Sequence, residues 1–202
     1  MQSPVDLLNE RVDVVSYLGT LKMSYKPSNA TLKNRGHDMK LSFENEVGSI
    51  EIRACSNGTE YELKQLHWHS PSEHTIDGFS LDLELHMVHE SQDGKAAVVG
   101  IMYKIGRPDP FLLSKDHLEN ITDTTEKESL WDGYYTYLGS FTIPPCTENV
   151  VWTIVRKVQT VTREQVRLLR VAVHDDSNTN ARPVQPINMR TVQLYKPDEK
   201  GN

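Results

Sequence analysis

The chain has 202 residues, with 22 Lys and Arg against 28 Asp and Glu, giving a formal net charge of −6. The acidic balance argues against a nucleic-acid partner, because phosphate binding requires a basic face. The sequence contains no apolar run of the roughly 18 residues that a membrane-spanning helix needs. With only Cys55 and Cys146, it is neither a disulfide scaffold nor a cysteine-rich zinc module. We find no repeat or linker and predict one domain over residues 1–202.

Short alternations of apolar and polar residues, separated by turn signals such as Asn57-Gly58, predict a mostly β protein with a largely antiparallel sheet. Helix signals are fewer. Residues 110–120 are compatible with a helix, and Thr162 and Gln165 have the spacing of a capping box. The Asn- and Pro-rich residues 177–197 are predicted to be irregular. The predicted strands are 40–43, 49–52, 61–69, 81–89, 96–105 and 150–158.

Histidine is concentrated in one part of the chain, where six of the eight histidines lie between positions 37 and 89. On a strand, alternate side chains share a face, so Gln65, His67 and His69 are predicted to point the same way. The turn-rich loop that follows predicts a hairpin with the next strand. That hairpin would bring His86 opposite His67 and His69.

Three neutral imidazoles with one open coordination position are typical of a catalytic zinc site, whereas closed four-ligand sites are structural. Imidazole also binds copper, nickel and iron, so ligand type alone does not fix the metal. Gln65 and Glu84 each lie two residues before a candidate ligand, where an amide or carboxylate can accept the other N–H of that ligand. The alternative for each histidine is a structural or exposed role. We prefer that alternative for His89, because its parity turns it away from the metal face.

Three motifs follow one another around the histidines: Q-x-H-x-H at 65–69, S-E-H-T-x-D at 72–77 and E-L-H-x-V-H at 84–89. This series resembles the motifs of the α-class carbonic anhydrases. The resemblance covers nearly the whole chain, and H-W-H-S-P-S-E-H is most similar to the plant branch of the family. The other matching motifs are Q-S-P-V at 2–5, N-R-G-H at 34–37, Y-L-G-S-F-T-I-P-P at 137–145 and N-A-R-P-V-Q-P at 180–186.

This resemblance implies a fold, a metal and a reaction. The fold is a central twisted, largely antiparallel β-sheet with a few short peripheral helices. The metal is Zn2+, held by His67, His69 and His86. The reaction is the reversible hydration of carbon dioxide to bicarbonate and a proton.

The resemblance also implies roles for the residues around the metal. Thr142 would hydrogen-bond the attacking hydroxide and pass its own proton to Glu73, while His37 would relay protons to bulk solvent. The alternatives are a plain loop histidine at 37 and a strand threonine at 142. The residues implied to support the ligands are Gln65, Glu84, His74, Tyr137 and Asn180, and those implied to form the carbon dioxide pocket are Val88, Val98, Phe141, Ile143, Val150 and Trp152.

The chain departs from the family pattern in ways that affect this expectation. Family members have an upstream segment, which in secreted members carries a cysteine that pairs with the position of Cys146. We therefore expect an N-terminally truncated domain, in which Cys146 has lost that partner and either pairs with Cys55 or stays free. Ile143 stands where threonine is common, which removes a hydroxyl from the cleft.

Two other classes of protein were weighed against the hydratase. The first is a binding or storage protein on the same fold with weak or no hydratase activity. Such proteins typically lose a zinc histidine, whereas this chain keeps all three, together with Glu73 and Thr142. The second is a zinc hydrolase with another substrate, which the lack of H-E-x-x-H disfavours.

The sequence carries conflicting signals about location. No signal peptide begins the chain, whereas N-x-[S/T] triplets at Asn29, Asn57 and Asn120 favour a secretory route. With the plant-like resemblance, we expect passage through the secretory pathway to the chloroplast stroma or the cell exterior. We also expect a monomer whose partner is the small-molecule substrate.

Overall fold

The computed structural model describes residues 1–53, 58–113, 131, 133–173 and 179–197. In these residues no helix is long and apolar enough to cross a membrane. The helices are a 3-10 turn at Asn9–Arg11, α1 (Pro110–Leu113) and α2 (Arg163–Val171). The strands are β1 (Asp6–Leu7), β2 (Val12–Val15), β3 (Lys22–Met23), β4 (Ala30–Asn34), β5 (Met39–Phe43), β6 (Ser49–Ile52), β7 (Thr59–His69), β8 (Thr75–Ile76), β9 (Phe79–Ser80), β10 (Leu83–Glu90), β11 (Ala96–Ile105), β12 (Tyr134–Ser140), β13 (Glu148–Val155), β14 (Gln159–Val161) and β15 (Val192–Tyr195).

One large sheet dominates the fold, with strand order β2-β15-β12-β13-β11-β10-β7-β5-β4. Most neighbouring strands are antiparallel, which confirms the predicted class. Parallel pairings join β11 to β13, β11 to β14 and β15 to β2, so the sheet is mixed. A second, small sheet consists of β1, β8 and β9. Its strands β8 and β9 belong to the connection between β7 and β10.

The predicted strands agree closely with the observed ones where the pattern of apolar residues is clear. The strand predicted at 96–105 coincides with β11, and that at 49–52 coincides with β6. The predicted hairpin of β7 and β10 is present as an antiparallel pair. Its connection is more elaborate than the expected turn, because β8 and β9 form a short ladder inside it.

Two predictions about irregular and extended segments were wrong. Residues 192–195, assigned to an irregular region, form β15, which pairs on both sides with β12 and β2. Its strand conformation depends on these distant partners, which local composition does not reveal. The strand predicted at 150–158 ends at Val155, where a turn precedes β14. Of the helix predicted at 110–120, only Pro110–Leu113 falls within the described residues, and that part is helical.

Helix α2 begins where the sequence predicts. The Thr162 hydroxyl accepts a hydrogen bond from the Gln165 N–H at 3.2 Å, and the Gln165 side chain accepts one from the Thr162 N–H at 3.1 Å. This reciprocal capping satisfies two backbone donors that the first helical turn leaves free. The Gln165 amide also donates to the carbonyl of Asp109 at 2.8 Å, which ties the helix to the segment after β11.

The large sheet is buried on both faces in its centre. On β10, Leu83, Leu85 and Met87 pack into one apolar cluster, while Glu84 and His86 point to the other face with no exposed surface. Buried polar groups on a central strand require partners, because an unpaired polar group in the interior is costly. The strand therefore carries a polar site on one face that the fold must satisfy. The cluster beside this site includes Val5, Val98, Tyr137, Val150, Trp152 and Leu194.

Candidate metal centre and active-site cleft

The strand register brings three histidine rings together. His86 of β10 lies directly opposite His67 of β7, and directly opposite residues of neighbouring strands share a face. His69 lies on the same face, two residues further along β7. The ring centroids of His67 are 5.1 Å from those of both His69 and His86, and the last two are 4.7 Å apart.

On β7, each histidine uses Nδ1 for a hydrogen bond away from the centre of the cluster. Nδ1 of His67 donates to Oε1 of Gln65 at 3.2 Å, and Nδ1 of His69 donates to the carbonyl of Asn180 at 3.0 Å. These contacts fix the tautomer and leave Nε2 of each ring as the potential ligand atom.

His86 is oriented the other way round. Its Nε2 lies 3.0 Å from Oε1 of Glu84, so Nδ1 is the atom left for a ligand role. Burial opposes a charged ring, but the nearby Glu84 carboxylate holds the pKa of His86 above its ordinary value. Burial lowers the pKa of His67 and His69, which favours the neutral form that a metal ligand requires.

The cluster fits a metal ion. His67, His69 and His86 each offer one nitrogen, and these three atoms lie within 4.8 Å of one another. Nε2 of His69 and Nδ1 of His86 are buried without a hydrogen-bond partner in the described structure. Buried nitrogens are seldom left unpartnered, so these two are available for coordination. Three imidazoles are a donor set that suits zinc.

One buried carboxylate organises the surroundings of His86. Oε2 of Glu84 accepts the backbone N–H groups of Glu73 and His74 at 2.8 and 2.9 Å, and Oε1 accepts Nδ1–H of His74 at 2.7 Å. Burial would raise the pKa of Glu84, but His74 and His86 outweigh it and hold that pKa well below its usual range. Glu84 is therefore ionised and linked to both the ligand strand and the loop after β7.

The network continues beneath the histidines. Nε2 of His74 lies 2.7 Å from the Tyr137 hydroxyl, which lies 2.8 Å from Oγ of Ser3. Oγ of Ser3 also accepts the Ser140 N–H at 3.1 Å. The chain of contacts thus runs from β10 to the strand that leads into residue 142.

Glu73 and Thr142 are both buried near the three histidines, but no hydrogen bond joins them within the described structure. Oε1 of Glu73 accepts the Arg182 N–H at 2.8 Å and lies 3.4 Å from Nδ1 of His69. Oε2 of Glu73 is buried, has no hydrogen-bond partner and lies 3.8 Å from Nδ1 of His86. This oxygen is therefore free to accept a further hydrogen bond.

A cleft of about 320 Å³ opens beside the cluster. One wall is apolar, and Thr142 lies in the same cleft as His67 and His86. Val150, predicted in the pocket, is not among the lining residues but is fully buried in the core behind them with Val98 and Trp152. The other predicted pocket residues line the cleft: Val88, Val98, Phe141, Ile143 and Trp152.

His37 lies at the exposed turn between β4 and β5. Its side chain is 51 % exposed, and its Nε2 lies 3.7 Å from the buried carboxylate of Asp38. The Asn180 side chain donates to the carbonyls of His37 and Trp68 at 2.8 and 3.0 Å. Asn180 therefore connects the turn that carries His37 to the ligand strand.

The family model described as eukaryotic-type carbonic anhydrase matches residues 1–196. The chain belongs to this family. Alpha carbonic anhydrase 7 of Arabidopsis thaliana is 59 % identical over 98 % of this chain and 75 % of the relative. Dioscorin DB3L of Dioscorea polystachya is 42 % identical over 100 % of this chain and 77 % of the relative.

Solved structures of carbonic anhydrases and dioscorins share the fold. Dioscorin complexed with ascorbate is 40 % identical with a TM-score of 0.87, covering 98 % of this chain and 87 % of that one. The alpha carbonic anhydrase of Thermovibrio ammonificans, in complex with the inhibitor sulfanilamide, is 32 % identical with a TM-score of 0.78. That alignment covers 95 % of this chain and 86 % of the other.

Sequence reasoning missed several residues of this carbonic anhydrase site. Ser3 and Ser140 were not assigned, although Ser3 lies in the Q-S-P-V motif that carries part of the family resemblance. Arg182 was quoted only within a motif, yet its backbone N–H holds Glu73 and its side chain donates to the carbonyl of Ser3 at 2.6 Å. These roles depend on contacts between distant segments.

His89 and Cys146 lie outside the cluster. His89 is fully buried and lies 2.7 Å from the Tyr25 hydroxyl, which confirms its predicted structural role. Cys146 is a free cysteine. His117, His174, Cys55 and the triplets at Asn57 and Asn120 lie outside the described residues.

Proposed function

We propose that the protein is a zinc-dependent carbonic anhydrase that catalyses the reversible hydration of carbon dioxide. The rival is a binding or storage protein on the same fold with weak or no hydratase activity. Family membership alone does not decide between the two, because relatives named carbonic anhydrase and relatives named dioscorin both match.

The convergence of three buried histidines carries the proposal. Their outer nitrogens are engaged by Gln65, Asn180 and Glu84, which leaves one ligand atom on each ring. These three rings would hold zinc, which would supply a Lewis acid that lowers the pKa of water to near neutrality, for which carbonic anhydrases are the standard example. A storage role would not require such an arrangement of unpartnered nitrogens.

The protein's own residues bind and orient the reactants. The apolar wall of Val88, Val98 and Trp152 offers a small uncharged substrate a site without competing hydrogen bonds. Thr142, which lines the same cleft, would accept a hydrogen bond from the attacking hydroxide. Its own proton then needs an acceptor, and the unpartnered Oε2 of Glu73 supports that role. Together, these two proposed hydrogen bonds would orient the hydroxide toward the substrate carbon.

A threonine substitution tests the function. Thr142→Ala should lower the rate of carbon dioxide hydration by up to about 100-fold with zinc still bound, because orientation is lost while the ligands stay. Thr147→Ala is the matched control, since Thr147 lines the same cleft and is exposed. Stopped-flow hydration assays and zinc analysis of both variants provide the measurement. A Thr142→Ala rate equal to that of Thr147→Ala would remove Thr142 from the mechanism.

His37 is proposed to carry the released proton out of the cleft. Hydration produces one proton per turnover, and an exposed histidine whose turn is tied to the ligand strand through Asn180 can accept it and pass it to buffer. His37→Ala should slow turnover in dilute buffer and leave kcat/KM for carbon dioxide nearly intact, because proton removal follows the chemical step. Added imidazole should restore turnover. Normal turnover of the variant in dilute buffer would identify His37 as a plain loop histidine.

We propose the secretory route because of the N-x-[S/T] triplet at Asn29, which is exposed in the loop before β4. An exposed loop asparagine is accessible for glycosylation. On expression through a plant secretory pathway, Asn29→Gln should increase the mobility of the protein on a denaturing gel. Identical mobility of the two proteins after passage through that pathway would contradict the use of this site.

A further inference from the structure

A row of basic side chains runs from the histidine cluster to the edge of the sheet. On β5, Lys40 lies directly opposite His67, and on β4, Lys33 lies directly opposite Lys40. Directly opposite residues share a face, so both lysines lie on the face that carries the histidines. With strands about 4.8 Å apart, the Cα atoms of Lys40 and Lys33 lie about 5 and 10 Å from that of His67.

Neither lysine is neutralised by the described residues. Some other lysines on the described surface lie in ion pairs, such as Lys95 with Asp93 and Lys64 with Glu62. Arg35, in the turn between β4 and β5, is paired with the buried Asp38. Lys40 and Lys33 form no ion pair or hydrogen bond with the described part of the chain. Lys40 is also half-buried, and an unpaired, partly desolvated ammonium gains from an added anion.

The neighbours of Lys40 connect it to the cleft. Ser42, on the same face of β5, lies opposite Gln65, and both Gln65 and His67 line the cleft. The apolar wall of Val88, Val98 and Trp152 lies on the β10 side of His67, whereas Lys40 lies on the β5 side. The apolar wall and the two lysines therefore lie on opposite sides of the ligand strand β7, so basic groups lie beside the cleft that Gln65 and His67 line, in a protein whose net charge is −6.

We propose that Lys40, supported by Lys33, makes this cleft selective for ligands that carry a carboxylate or another anionic group on the end that points away from the histidines. This inference rests on the proposed function, because it assumes that ligands enter the cleft with one end directed at the metal. The ligand that this selectivity favours is a small organic anion. A neutral ligand of the same shape would lose the contact with the lysine row.

The test compares two aromatic sulfonamides that differ in one group. 4-Sulfamoylbenzoate carries a carboxylate, and 4-sulfamoylbenzamide carries a neutral amide of similar size. The zinc-loaded protein should bind the carboxylate about three- to tenfold more tightly by calorimetry, the range expected for one or two partly exposed ion pairs. The preference should shrink at high salt, because exposed charges are screened.

Three variants test whether Lys40 causes the preference for the carboxylate. Lys40→Gln should remove most of the preference while changing the affinity for the amide less than about twofold, and Lys40→Arg should keep it. Lys104→Gln is the matched control for net charge. Lys104 is exposed on β11, about 13 Å along that strand from Gly100, the residue opposite His86, and its variant should keep the full preference.

The outcomes separate the two proposals. Equal affinity of the native protein for both sulfonamides, or a preference that survives in Lys40→Gln, would overturn the anion selectivity and leave the hydratase intact. Binding of neither sulfonamide by the folded, zinc-treated protein would contradict the metal-directed cleft itself, and the selectivity would fall with it.

Discussion

His86→Ala should abolish stoichiometric zinc binding and, with it, carbon dioxide hydration. The substitution removes one of three ligand nitrogens, and Nδ1 of His86 has no other hydrogen-bond partner in the described structure. Loss of a ligand should weaken zinc by more than the roughly 10- to 100-fold typical of losing a residue that only holds a ligand in place. Zinc analysis after dialysis and a stopped-flow hydration assay measure both effects.

His89→Ala is the matched control for His86→Ala. His89 is three residues away on the same strand, is equally buried and contacts Tyr25 rather than the cluster. Its removal leaves the Tyr25 hydroxyl without that partner and should lower stability, yet zinc should remain bound. The circular dichroism spectrum establishes that both variants are folded. If His86→Ala retains zinc as well as His89→Ala does, the ligand assignment is wrong.

Glu84→Ala should damage both metal affinity and stability. Glu84 contacts His86 and His74 and accepts two backbone N–H groups, so its removal leaves several buried donors unsatisfied. Zinc affinity should fall by about 10- to 100-fold, and removing one partner of a buried charged pair should cost about 3–5 kcal/mol of unfolding free energy. A zinc competition titration and urea unfolding give the two values.

Gln65→Ala is the comparison for this second prediction. Gln65 supports only His67 among the ligands, through a single hydrogen bond of 3.2 Å, and is half-buried. Gln65→Ala should therefore weaken zinc binding with a much smaller loss of stability than Glu84→Ala causes. Equal effects of the two substitutions on stability would show that Glu84 is not the group that organises the site.

The cluster could be predicted from sequence because its geometry is local. Strand parity alone places His67 and His69 on one face, and one hairpin is enough to bring His86 to them. The supporting positions of Gln65 and Glu84 follow from the same parity. Strands β6 and β11 were predicted with the observed bounds, because the alternation of β6 and the continuous apolar run of β11 are also local patterns.

The parts of the fold and of the site that could not be predicted from sequence depend on contacts between distant segments. The carbonyl of Asn180 accepts the His69 N–H across 111 positions of sequence, and Ser3 contacts Tyr137 across 134. Residues 192–195 form a strand only because β12 and β2 lie on either side of them. No local periodicity encodes such partners, and only the motif resemblance pointed to Asn180. Val150 was assigned to the cleft by resemblance, whereas its position on β13 places it in the core behind the wall.

The burial of Thr142 and Glu73 beside the cluster supports the proposed hydratase over the rival binding protein. Both are buried beside the cluster, and the Glu73 backbone is anchored by Glu84 while its Oε1 is held by Arg182. Such anchoring fixes a carboxylate whose remaining oxygen is free. A protein that only stores or binds ligands has no need to hold that oxygen in place, so the hydration rate decides the question.

The most direct measurement is zinc content together with hydration rate on one preparation of the native protein. The purified protein, loaded with zinc and then dialysed to remove the excess, should contain about one zinc per molecule, as expected for a site with three protein ligands. Its kcat/KM for carbon dioxide, measured by stopped flow at one pH below and one above neutrality, should rise with pH, because hydroxide is the nucleophile. A folded chain that binds no zinc, or one that binds a full equivalent and does not accelerate hydration at either pH, would contradict the account.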